Sequence, residues 1–115
     1  MTYIDGFVVA VPAQNKEKYR EIATQAATMM RQWGATRVVE NWGDAVPPGK
    51  QTDFYRAVAA QEGEIVVFSW IEYPDKETRD RVQAKMMSDP QLEAMVMPFD
   101  MGRMIYGGFS TLVDA

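Results

Sequence analysis

Three acids within the expected strands of this chain sit two positions from an aromatic residue: Asp5 with Phe7, Glu40 with Trp42, and Glu72 with Trp70. In a strand, that spacing puts acid and ring on the same face. A carboxyl group in apolar surroundings resists ionisation, which raises its pKa and suits it to proton transfer. A structural reading competes: the same acids can pair with Arg37, Arg56 or Arg103, or stand in water at a sheet edge. Tyr106, with Tyr73 and Trp70, has the character of a small-ligand lining, although packing in a core or interface uses aromatics in the same way. The candidate pocket is therefore Asp5, Phe7, Glu40, Trp42, Trp70, Glu72 and Tyr106, with no catalytic residue assigned. An oxygen-ligand metal site using Asp5, Glu40 or Glu72 stays an open alternative that no spacing marks, and neither metal nor cofactor is expected.

Composition narrows the chemistry further. The chain has no cysteine and no histidine. That excludes disulfides, thiolate nucleophiles and Cys-based zinc sites, along with the commonest metal ligand and the usual general base. Net charge is −4, and the basic residues are scattered among acids instead of clustered, so nucleic acid is not an expected partner. The longest apolar runs are strand-sized, too short to span a membrane. The opening MTYIDGFVVAVP carries Asp5 early and no basic region, unlike a signal peptide. A cytoplasmic protein is expected, folded as one domain over residues 1–115 with a core large enough to need no staple.

The elements that must position the acids follow from hydrophobic pattern. Tyr3 to Val11 reads as a strand ended by Pro12. Lys16 to Trp33 reads as a helix with an apolar stripe through Tyr19, Ile22, Ala23, Ala26, Met29, Met30 and Trp33, capped by Asn15 and stopped by Gly34. Thr36 to Trp42 is a second strand. After a turn-rich loop, Gly43 to Gln51, comes a third expected strand, Phe54 to Ala60, joined by a hairpin at Gly63 to a fourth, Ile65 to Tyr73. Asp75 caps a helix over Lys76 to Ser88, and Asp89-Pro90 opens a short one over Gln91 to Met95. Arg103 to Val113 is the last strand, with a bulge or corner expected at Gly107-Gly108.

Ile65 to Tyr73 is apolar on both faces until Glu72. A strand with one wet face alternates apolar and polar, so both faces of this sheet must be covered. Helices of the chain cover one face. A second copy related by a two-fold axis is the commonest way to cover the other. Apart from its extra middle strand, the order is the split βαβ, ferredoxin-like pattern. The fold class expected is α+β: an antiparallel sheet with helices on one face, forming a dimeric α+β barrel.

Several strings also resemble the YbaA-like family of uncharacterised bacterial proteins: GFVVAVP (Gly6 to Pro12), VVFSWIEYP (Val66 to Pro74), KMMSDP (Lys85 to Pro90), MPFD (Met97 to Asp100) and RMIYGGF (Arg103 to Phe109). The resemblance spans nearly the whole chain in order. It implies the dimeric α+β barrel superfamily and no established activity, so it carries over no site residue. The expected function is a small homodimer with a possible small-molecule ligand, held between sheet and helices or within the barrel. The alternative is an enzyme like the cofactor-independent monooxygenases or isomerases of that superfamily, a reading that rests on fold analogy.

Overall fold

The computed structural model describes residues 2–115. Its centre is an antiparallel sheet of four strands: β1 (Tyr3–Pro12), β2 (Arg37–Trp42), β3 (Glu64–Tyr73) and β4 (Ile105–Ser110). They lie in the order β2-β3-β1-β4, which is the ferredoxin-like arrangement. The two long strands pair along their full length, from Tyr3 opposite Tyr73 to Pro12 opposite Glu64. β2 extends the sheet beyond β3 and β4 extends it beyond β1.

Opposed residues in a ladder share a face, so the register sorts every side chain. One face carries Asp5, Phe7, Val9, Val11, Val38, Glu40, Trp42, Val67, Ser69, Ile71 and Tyr73. Helices α1 (Lys16–Trp33) and α3 (Lys76–Ser88) pack on it. From α1 the buried residues are Tyr19 and Met30, and from α3 Thr78 and Val82. Two apolar clusters lie in this layer, one around Val9, Val11, Tyr19 and Val67, the other around Met30, Ile71, Tyr73 and Val82.

The opposite face carries Ile4, Val8, Ala10, Val66, Phe68, Trp70 and Glu72. Part of it is covered from within the chain. Phe54 to Ala60 is not the expected strand: Phe54–Ala57 forms a short helix, α2, with Asp53 as its N-cap accepting a hydrogen bond from the Arg56 amide at 2.8 Å. Alanine is a weak strand former, and Ala59 has φ +48°, which a strand cannot continue through. Val58 then packs with Val8, Ala10 and Val66 on one end of this face. The rest stays open, with Phe68 47%, Ile105 45% and Phe109 62% exposed.

Capping follows expectation at Asp75, which accepts from the Thr78 amide at 2.7 Å, and at Asp89, which accepts from the Gln91 and Leu92 amides at the start of α4 (Pro90–Glu93). Asn15 does not cap α1. Its side-chain amide donates instead to the Pro98 carbonyl, tying the start of α1 to the loop after α4. The last strand begins at Ile105, because Met101–Arg103 closes into a 3-10 turn capped by Asp100. The register runs unbroken through Gly107-Gly108, so no bulge is present. The glycines give room for side chains instead. The Phe109 ring lies over Gly6 and Gly107, and a Cβ on Gly108 would meet the Tyr3 hydroxyl and the Arg79 guanidinium. Arg103 holds Glu64 through two bonds of 2.7 Å, clamping the 3-10 turn to the start of β3.

Candidate functional site

The register divides the seven candidate pocket residues between the two faces. Trp70 and Glu72 lie on the face away from α1 and α3. There Glu72 accepts from the Trp70 indole N–H at 2.9 Å and meets Arg37 at 3.5 Å, an exposed and weak ion pair. Asp5, Phe7, Glu40 and Trp42 lie on the helix face, as does Tyr106 opposite Phe7. Tyr106 is on the edge strand and 74% exposed, so it lines no enclosed space. Phe7 packs beside Val9, Tyr19 and Val67. The acid–aromatic set is thus three local arrangements, not one pocket.

Asp5 is buried and fully engaged. It accepts from the Tyr73 hydroxyl at 2.9 Å and from Arg79 Nε at 3.0 and 3.2 Å. Arg79 also reaches over the Tyr3 ring and to Asp80. Burial, with the Asp5 carboxylate beside it, pushes the Tyr73 hydroxyl far above its ordinary value of 10.0. A carboxylate held by a guanidinium and a phenol is a closed structural knot joining β1, β3 and α3.

Glu40 is held differently. Its Oε1 accepts from the Tyr19 hydroxyl at 2.6 Å and from the Ser69 hydroxyl at 2.5 Å. No Lys or Arg forms an ion pair with it among the described residues. Both donors converge on the same oxygen, which leaves Oε2 without a protein partner. No side-chain polar atom is both buried and unpartnered among the described residues, so Oε2 is open to solvent. Burial of the group lifts its pKa above the ordinary 4.5, and the two hydroxyl bonds offset this only in part. Tyr19 is pushed well above 10.0, first by burial and then by the neighbouring Glu40 charge.

Three elements set this geometry. β2 points Glu40 and Trp42 to the helix face, β3 brings the fully buried Ser69 opposite Glu40, and α1 lowers Tyr19 onto both. The Tyr19 ring also packs at 6.4 Å from Trp42 and 5.8 Å from Phe99. Glu40 lines a groove of about 920 Å³ between α1 and the edge strand β2. Ala23, Ala27, Ala35 and Val38 give it an apolar floor, with Trp42 and the amphipathic Lys16 at one end. Small residues on this stripe of α1 are what leave the space. Tyr19 and Ser69 were not among the sequence candidates. Tyr19 reads as part of the apolar stripe, and Ser69 reads as a small polar residue between the apolar Phe68 and Trp70.

Among the described residues, no three Asp or Glu side chains come together as a metal site would require. Among the described residues, no helix is long and apolar enough to cross a membrane.

Comparison with known proteins agrees with this fold. The protein described as Uncharacterized protein YbaA from Escherichia coli (strain K12) is 58% identical over 116 residues, covering 99% of each chain. Its namesake from Shigella flexneri matches to the same extent. Among solved structures, Rv0793 from Mycobacterium tuberculosis superposes with a TM-score of 0.55 at 13% identity, covering 100% of this chain and 99% of that one. A point mutant of SnoaB, a cofactor-independent oxygenase from Streptomyces nogalater, superposes at 0.50 with 13% identity, covering 98% of this chain and 93% of that one. At such identities these two structures speak for the fold alone. A family model described as a protein of unknown function, DUF1428, matches residues 2–101, and the chain belongs to that family.

Proposed function

We propose that this protein is a small-molecule binder whose site is the groove between α1 and β2, with Glu40 as its polar anchor. The observation that carries the reading is the one-sided bonding of Glu40: two hydroxyls on Oε1, none on Oε2, and no ion pair among the described residues. Ligand sites combine apolar walls with placed polar groups, and this groove sets an apolar floor beside charged residues that include Lys16, Arg20, Arg31 and Glu40. The protein acts as a homodimer through the open part of the other sheet face, where Phe68, Ile105 and Phe109 stand exposed. Absence of cysteine suits the reducing cytoplasm.

A second reading is an enzyme that needs no cofactor. What favours it is the raised pKa of Glu40 beside a groove, the property expected of a general acid–base. Ionised Oε2 would take a proton from a bound carbon or oxygen acid, and the same proton returned to a neighbouring atom would complete an isomerisation. The described function of SnoaB as a cofactor-independent oxygenase is in keeping with such chemistry on this fold.

Both readings meet in one experiment, a small-molecule thermal-shift screen in D2O on the native protein and on Glu40→Gln. A binder raises the melting temperature with occupancy, and hits are then followed by NMR for binding and for exchange of their acidic protons. A groove ligand should perturb the Trp42 indole signal and bind more weakly to the variant. Exchange that Glu40→Gln abolishes would establish the enzyme. Hits that leave Trp42 unmoved would remove the groove from consideration.

A further inference from the structure

We infer that the groove takes a small organic monoanion, a carboxylate or phenolate carried on a flat apolar body; this rests on the reading of the groove as a ligand site. Among the charged residues that line it, Lys16, Arg20 and Arg31 are cations and Glu40 is the single acid. The chain as a whole is acidic, at −4, so the groove is a local inversion of the molecule's charge. Helix α1 produces that inversion by spacing. Lys16 and Arg20 are one turn apart, and Arg31 follows three turns on along the same stripe. Glu17 and Glu21 fall outside the lining.

These cations are largely uncommitted. Arg20 reaches Glu17 at 3.4 Å with both side chains exposed, a pairing that water and salt weaken. Lys16 sits 5.5 Å from the centre of the Trp42 ring. Arg31 has no ion pair among the described residues. Clefts lined by one sign of charge over low-dielectric walls concentrate ligands of the other sign. Glu40 sets one acid against these three cations, and burial disfavours its charged form. In its protonated form it can offer the Oε2 proton to an anion, and such charge-assisted hydrogen bonds are the stronger kind.

Shape and spacing select the ligand further. The floor of Ala23, Ala27, Ala35 and Val38 has no side-chain donor and offers apolar contact to a flat body. Lys16 and Arg31 are about 22 Å apart along the helix axis at its usual rise. A compact ligand can therefore meet Lys16 with Arg20, or Arg31, but not all three at once, which argues for a small anion and against an extended array of charges such as a polyphosphate.

The test uses matched pairs, benzoate with benzamide and 1-naphthoate with 1-naphthamide. Affinities are read from NMR shifts of the Trp42 indole and of the Thr24 and Thr28 amides, at low and high salt. The same pairs are measured on the triple variant K16Q/R20Q/R31Q, whose changes are all at exposed positions. The expectation is a preference for each acid over its amide of about tenfold, falling toward none at high salt and in the triple variant. Acid and amide binding alike in the groove would overturn the anion preference and leave the groove reading standing. A preference that survives in the triple variant would also overturn it. If no pair moves those signals, both the preference and the groove reading fail.

Discussion

At the scale of the residue, the three acids flagged by their aromatic neighbours meet three fates, and the difference is the partner each finds. Asp5 meets Arg79 and Tyr73, Glu72 meets Arg37 and the Trp70 indole, and Glu40 meets only hydroxyls. For Glu40, burial without a cationic partner disfavours the charged form. The sign of its effect on stability follows. The folded-state pKa of Glu40 lies above the unfolded value, so its contribution is fully present below the unfolded pKa and is lost as pH rises through the folded one. Glu64 works in the opposite sense. Hydrogen bonds from Arg103 hold it below 4.5, so its contribution is present above that value and lost as pH falls. Glu40→Gln keeps an oxygen to accept from Tyr19 and Ser69 and removes the titration. Thermal melts should therefore show the variant gaining on the native protein as pH rises from about 4.5 toward 7. A difference in melting temperature that stays flat over that interval would mean Glu40 titrates normally. The pairing of acid with ring at two-residue spacing was readable in the sequence. Which face each pair points to was not, because that depends on the register between distant strands. Arg79, the partner of Asp5, lies 74 residues away along the chain.

At the scale of the element, the order of strands and long helices was legible because their periods are long and unmixed. The segment from Phe54 to Ala60 was not. Seven residues of mixed alanine and aromatic character fit a short strand or a helical turn equally well, and periodicity cannot separate them. Two local facts decide for the helix: the Asp53 cap and the positive φ of Ala59. The consequence reaches beyond secondary structure, since α2 sets Val58 over Val8, Ala10 and Val66 and so supplies part of the cover for the second sheet face. Val58 is 1% exposed, so Val58→Ala should cost about 2 kcal/mol in chemical denaturation. Val96→Ala, at a site 78% exposed, should lie within about 0.5 kcal/mol of the native protein. Equal effects from the two would mean that α2 is not a working part of the core.

At the scale of the whole molecule, the remaining question is what covers the rest of that face. A sequence with apolar residues on both faces of β3 predicts full cover, and the chain supplies it only at the Ala10 and Val66 end. Phe68, flanked by Trp70 at 5.8 Å and Phe54 at 6.0 Å, heads an open aromatic surface that continues across β1 to Ile105 and Phe109 on β4. Isolated exposed apolar side chains are ordinary, but a contiguous patch marks an interface. A flat sheet face with its own two-fold mate is self-complementary and closes, whereas a head-to-tail use of the same face would not. Sedimentation of the native protein at micromolar concentration should then give about twice the 13.0 kDa chain mass. Phe68→Asp should sediment near the mass of one chain with its far-ultraviolet dichroism unchanged, because this side chain is already 47% exposed in the single chain and its loss leaves the core intact. The groove lies on the other face of the sheet, so the monomeric variant should still bind groove ligands. A native protein that sediments as a single chain would remove the dimer. A Phe68→Asp protein that stays paired would move the interface off this face, to one of the open sheet edges at β2 or β4.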